Sequence, residues 1–240
     1  DLRIGFISVT DTLNSILSGD SSYFIFYKSK TPIQQFVVGK YRLSLGQGIA
    51  YAPAFGFSKS SAAVTGPIKN YTPLKPHTSP LHSWSLEGVA AVLRTANISF
   101  IPFFSRTKLH ARLENEKIRT IYAFGEHGRK HENNTSERIA GLSVRYHYHN
   151  NIIGGYFSHN EFDREFVLPE QSNRYTKTGI FFNHHFEDMN LFGEFARIDD
   201  KNGMITGLRW GKKPFRQLLL YRNYEKDIPV WHGNPFSSAS

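Results

Sequence analysis

The segment Phe36-Val-Val-Gly-Lys-Tyr-Arg-Leu-Ser-Leu-Gly-Gln-Gly-Ile49 constrains the fold more than any other stretch of the chain. Side chains on an extended backbone point alternately to opposite faces. Gly39, Tyr41, Leu43 and Leu45 therefore share one side, and Lys40, Arg42, Ser44 and Gly46 the other. A strand of this kind separates two environments, one greasy and one wet. Similar segments recur along the chain with short polar turns between them. A soluble sandwich also alternates, but long strands in hairpin series predict first a barrel in a lipid bilayer.

Composition narrows the classes. No run approaches the roughly 20 consecutive apolar residues that a membrane helix needs, so spanning helices are excluded. Twenty Phe and twelve Tyr favour sheet structure. The absence of cysteine rules out disulfides, thiolate chemistry and cysteine metal sites, and leans toward an envelope location. The net charge of +9 raises a nucleic-acid reading, but Lys40, Arg42, Arg145, Lys212, Lys213, Arg216 and Arg222 are scattered rather than gathered in one stripe. Solvated lumen and loop charges account for them better. The N-terminus has no basic region leading into an apolar one and reads as a strand already under way, and the C-terminus reads as a loop. The expectation is a single barrel segment over residues 1–240, cut at both ends.

Alternation bounded by turn residues gives strands at 2–9, 21–29, 33–46, 83–94, 97–106, 137–149, 152–164, 174–186, 190–199, 202–211 and 214–226. Tight turns fall at Ser29–Pro32, Thr95–Asn97, Asn150–Asn151, Glu187–Asn190 and Gly211–Pro214, with longer excursions at 47–82, 107–136 and 165–173. Short and long connections alternate, as in an up-and-down outer-membrane barrel and unlike a Greek-key sandwich. That parity requires Lys108 to Phe124 to be one outer excursion or a projecting hairpin, not two further spanning strands. The apolar rows Leu142-Val144-Tyr146-Tyr148 and Trp84-Leu86-Gly88-Ala90-Val92 read as lipid faces, although Val89, Ala91 and Leu93 blur the second. Pro102 cannot donate a ladder hydrogen bond and predicts a bulge or weak pairing on one side.

Chemistry-bearing constellations are weak. His127 and His131, four apart, lie in a glycine-containing loop without the Glu of a zinc helix. His147 and His149 share a strand face that a wet interior explains equally well, and His184 and His185 point apart. Gly46-Gln-Gly48 is not followed by a phosphate-loop Lys and reads as a bend at a strand end. Asp199-Asp200 precedes Asn202-Gly203, itself a hairpin-turn signal. The sequons at Asn70, Asn97 and Asn134 carry no meaning in a bacterial protein. Glu87, Glu194 and Glu225 offer no pair at a hydrolytic separation. The sequence nominates no catalytic set, metal or cofactor.

The run Val38 to Ile49, then Gly56-Phe-Ser-Lys-Ser60, Leu74-Lys-Pro-His-Thr-Ser79 and Leu86-Glu-Gly-Val-Ala90, with Phe104-Ser-Arg106 and Phe124-Gly-Glu-His-Gly-Arg129 in order, resembles the barrel of large outer-membrane proteins of Bacteroidetes and Chlorobi-like bacteria. Those proteins carry an N-terminal helix-hairpin-helix region. The resemblance covers roughly residues 10–150; the helix-hairpin-helix portion is not in these residues, and His127-Gly-Arg129 has a glycine between the family's His and Arg. The resemblance implies an outer-membrane location and, through the segment not present here, a link to DNA handling or uptake; it carries no activity to named positions.

The reading is an all-β, antiparallel, up-and-down transmembrane barrel segment of about 10 to 12 strands, not an enzyme, acting in the bacterial outer membrane as a pore or envelope scaffold. Its partner is the lipid bilayer. Lys40, Arg42, Arg145 and Arg209 are the expected basic lining of the lumen, which leaves a nucleic-acid conduit open. The alternative is a soluble antiparallel β protein that binds a ligand or nucleic acid. A continuous outward apolar belt about 25 Å tall, rimmed by Tyr and Trp, favours the bilayer, and an apolar face turned inward would overturn that assignment.

Overall fold

The computed structural model describes residues 1–9, 20–52, 72–79, 85–122, 133–168, 171–212, 215–226, 228–229 and 232–233. Every regular element in them is a strand: β1 (Leu2–Val9), β2 (Asp20–Lys28), β3 (Ile33–Leu43), β4 (Leu74–Pro76), β5 (Leu86–Thr95), β6 (Ile98–Glu114), β7 (Lys117–Tyr122), β8 (Thr135–Tyr148), β9 (Asn151–Phe162), β10 (Arg174–Phe186), β11 (Met189–Ile198), β12 (Lys201–Trp210) and β13 (Gln217–Tyr224). The strands form one antiparallel up-and-down sheet in the order β1-β2-β3-β5-β6-β8-β9-β10-β11-β12-β13, with β4 paired to β3 and β7 to β6. Among the described residues the sheet is not closed; β1 and β13 are its edges.

All eleven expected strands are present, and the two additional ones, β4 and β7, are short. Of the Lys108 to Phe124 segment, residues 108–122 are described and form a hairpin: β6 runs on to Glu114, turns at Asn115-Glu116 and returns as β7, which pairs with β6 and makes one further bridge, from Ile118 to Phe166. Connections at one end of the sheet are short, through Ser29–Pro32, Ala96-Asn97, His149-Asn150, Glu187-Asp188 and 211–216. At the other end they are 10–19, 44–85, 115–134 and 163–173, plus the tight Asp199-Asp200. The hairpin between β11 and β12 turns at Asp199-Asp200 rather than at Asn202-Gly203. Gly203 instead lies within β12, and a Cβ there would meet Tyr224 at 3.0 Å and Ile49 at 3.2 Å. Pro102 pairs with Leu142 of β8, but the register with β5 lacks partners between Phe103 and Phe100, so the weak side is the β5 side.

The core-facing surface is built from a recurring cross-strand pair in which an aromatic ring lies over a glycine. The Phe24 ring lies over Gly5, Phe103 over Gly141, Tyr156 over Gly179, Phe181 over Gly154 and Phe192 over Gly207. A Cβ at Gly141 would stand 2.3 Å from the Phe103 ring. Each ring occupies the space of the missing side chain, which lets the sheet curve around its own interior.

A carboxylate fastens the start of β8 to the end of β9. Asp163 Oδ1 accepts from the Thr135 hydroxyl (2.6 Å) and the Ser136 amide (2.9 Å), and Oδ2 from the Ser136 hydroxyl (3.0 Å). Burial opposes its charge, but these donors and the Arg164 charge together hold the carboxyl below the usual range.

Candidate functional site

The centre of the molecule is a loop turned into the sheet. After β3, residues 44–52 pack inside: Leu45, Ile49, Ala50 and Tyr51 join the one hydrophobic core cluster with Val37, Tyr41, Ile101, Phe103, Ile139 and Phe181. Gly46 and Gly48 take positive φ (55° and 91°), a conformation that costs glycine little. The turn aims successive backbone N–H groups at one point, and Glu194 of β11 occupies it. Glu194 Oε2 accepts from the amides of Gln47 (2.5 Å) and Ile49 (3.2 Å), and Oε1 accepts from the Tyr156 hydroxyl (2.7 Å). Gly46-Gln-Gly48 is thus the bend that its sequence suggests, and it also forms an anion nest whose anion is the protein's own carboxylate.

A second polar cluster clasps the far side of the same loop. Glu137 of β8 accepts from His232 Nε2 (2.6 Å), from the Tyr175 hydroxyl (2.8 Å) and from Asn160 Nδ2 (3.0 Å). Tyr51 OH lies 2.7 Å from Ser158 Oγ, and Lys177 Nζ sits 4.6 Å above the Tyr51 ring and 3.4 Å from the Ala50 carbonyl. The Ala52 amide donates to the His232 carbonyl, and a Cβ at Gly233 would stand 1.8 Å from the Ile49 carbonyl oxygen. Glu137, Asn160, Ser158 and Lys177 are fully buried. A buried carboxylate, a buried ammonium and their hydrogen-bonded partners around one loop hold that loop in place.

The four expected lumen residues do not come together. Arg145 faces the core, buried, with Nη2 donating to the Ser44 carbonyl (2.8 Å) and the guanidinium 5.5 Å from the Phe181 ring centre. Arg209 is half-buried beside Asn190 and Leu218, near the short-turn end. Lys40 and Arg42 lie on the face away from the core. Lys40 stands in a row with Glu87 next to the core row of Tyr41 and Leu86; its Nζ donates to the Ser21 carbonyl (2.6 Å), while the hydroxyl of the outward Tyr23 reaches Glu87. Arg42 Nε donates to His77 Nδ1 (2.9 Å). The reason is that Tyr41, Leu43, Leu86, Ala90 and Val92, which read as lipid-facing, turn inward onto the loop. The exposed apolar side chains on the outward side of these strands are Val38 and two of the blurring residues, Val89 and Leu93.

His147 faces inward and shares a hydrogen bond with Ser99 (3.0 Å), while His149 sits in the turn, so the two do not form a pair. His127, His131 and Asn70 lie outside the described residues. Among the described residues no group of three His, Cys, Asp or Glu is placed to hold a metal ion. Sequence reasoning passed over Glu137, Lys177 and His232. For the first two a signal existed, a charge at a core-facing position of a long strand; for His232, in the irregular C-terminal segment, none did.

No protein-family model matches the chain, and no curated protein is significantly similar to it.

Proposed function

We propose that the protein is an outer-membrane β-barrel protein that acts as an envelope scaffold with an occupied interior, rather than as an open pore. The observation that carries this reading is the outward face. The cross-strand rows Ile4-Ile25-Val38-Val89-Phe104-Ala140, from β1 to β8, and Leu93-Phe100-Val144-Gly155-Ile180-Phe195-Met204, from β5 to β12, carry no charged residue. Most of these side chains are exposed, Ile180 at 66% and Ile4 at 74%. A row of large apolar side chains facing water is an aggregation surface, whereas a bilayer satisfies it. Tyr146, Tyr148 and Trp210 stand toward the short-turn end of the same face, where a lipid–water boundary favours aromatic rings.

The inward apolar face of β3 and β5 speaks for the soluble alternative. It packs on the loop at 44–52, and the outward face of the same strands also exposes Val38, Val89 and Leu93 beyond the polar Lys40, Arg42 and Glu87, which a soluble barrel would have no reason to keep. A conduit for nucleic acid draws no support from Lys40, Arg42, Arg145 and Arg209, which lie apart. The test is heat-modifiable migration. The protein extracted in detergent is expected to run as a compact band unboiled and a slower one boiled, and to precipitate when detergent is removed. A single, detergent-independent soluble species would contradict the proposal.

A further inference from the structure

The outward face changes character sharply toward the long-loop end. On β6 the outward Phe100, Pro102 and Phe104 give way to Arg106 and Lys108, and on β8 Leu142 and Ala140 give way to Arg138. Arg106 pairs directly with Arg138, Arg138 with Glu161, and Glu161 with Arg174. One cross-strand row therefore carries three guanidiniums and one carboxylate, and that carboxylate is held by Arg174 (2.7 Å). Arg106, Arg138 and Lys108 are exposed, and among the described residues their side chains have no hydrogen-bond or ion-pair partner.

Like charges directly opposite one another destabilise a sheet. An anion between Arg106 and Arg138 would turn that repulsion into charge-assisted hydrogen bonds, the geometry in which guanidinium recognises phosphate. The row begins two residues beyond Phe104, roughly 7 Å along the strand, where the apolar band ends. A phosphate tethered to acyl chains is delivered to that height, whereas free phosphate has no reason to prefer it. We propose that Arg106, Arg138 and Lys108 dock the phosphate headgroups of lipids in the leaflet on the long-loop side, with the acyl chains lying along Phe104, Ala140, Leu142 and Phe157. The inference rests on the membrane reading.

The experiment compares the protein in vesicles of phosphatidylcholine alone and of phosphatidylcholine doped with diphosphoryl lipid A. Thermal unfolding of the wild type is expected to move to higher temperature with the anionic lipid, and less so at high salt. Arg106→Gln with Arg138→Gln is expected to weaken lipid A retention about tenfold or more and to abolish the shift. In phosphatidylcholine alone the same variant should unfold at the wild-type temperature or above it, because the repulsion is gone. An equal shift in variant and wild type, or the same shift from inorganic phosphate, would overturn the proposal. A nitroxide at Val144 in the same vesicles separates the two readings: contact with acyl chains but no lipid A dependence sinks only the docking site, and a water-exposed label sinks both.

Discussion

Replacing Glu137 by Ala is expected to destabilise the protein by about 3–5 kcal/mol, the cost of breaking a buried ion pair by removing one partner. The substitution strips the acceptor from His232 Nε2, from the Tyr175 hydroxyl and from Asn160 Nδ2. It also leaves the fully buried Lys177, whose charge interacts with that of Glu137, without a compensating carboxylate. Against a typical total of about 5–15 kcal/mol this is a large fraction. Glu137→Gln keeps one carbonyl acceptor but points an amide at the remaining donors, so it should fall between. Denaturant midpoints of the three proteins check the order. A loss below about 1 kcal/mol for Glu137→Ala would mean that the cluster does not bear on stability.

Glu194→Ala is expected to act locally. The backbone amides of Gln47 and Ile49 and the Tyr156 hydroxyl would lose their acceptor in a region closed to water, at a cost of about 1–3 kcal/mol for each orphaned group. Residues 44–52 are the segment that Glu194 holds, so amide hydrogen exchange at Gln47 and Ile49 should rise by two or more orders of magnitude, about 3 kcal/mol of local opening. Exchange in β8 and β9 should rise less. Glu194→Gln retains a carbonyl for the two amides and should restore most of the protection. Unchanged exchange across the loop in Glu194→Ala would show that packing of Leu45, Ile49 and Tyr51 holds it without the carboxylate.

Period was legible in the chain and sign was not. Alternation located the long strands, and turn residues located the short connections, because both depend on neighbours within a few residues. In Leu142 to Tyr148 one face is apolar and the other polar, and the outward side could be read directly. In β3 and β5 both faces carry apolar side chains, so alternation cannot say which one turns inward. That choice is made by the loop at 44–52, which needs Tyr41, Leu43 and Leu86 as its walls. Lys40 and Arg42 looked like lumen residues because a charge was assumed to avoid the outward face; they lie near its long-loop end, among polar partners. The contact between Gln47 and Glu194 spans 147 residues of sequence, and no local pattern announces it. At Asn202-Gly203 the local turn signal yields to the strand pattern: Gly203 lies within β12, paired with Ala196 of β11, where a Cβ would meet Tyr224 and Ile49.

The central claim is that the apolar outward face lies against acyl chains and that its charged rim lies at the lipid–water boundary. The chain has no cysteine, so single nitroxide labels can be placed without ambiguity. Labels at Val144, Phe157 and Ile180 in vesicles are predicted to relax strongly with oxygen, which partitions into the bilayer, and weakly with a water-soluble nickel chelate. Labels at Arg174 and Arg197, at the outward rim, are predicted to show the reverse. Strong nickel accessibility at Val144, Phe157 and Ile180 would contradict the account.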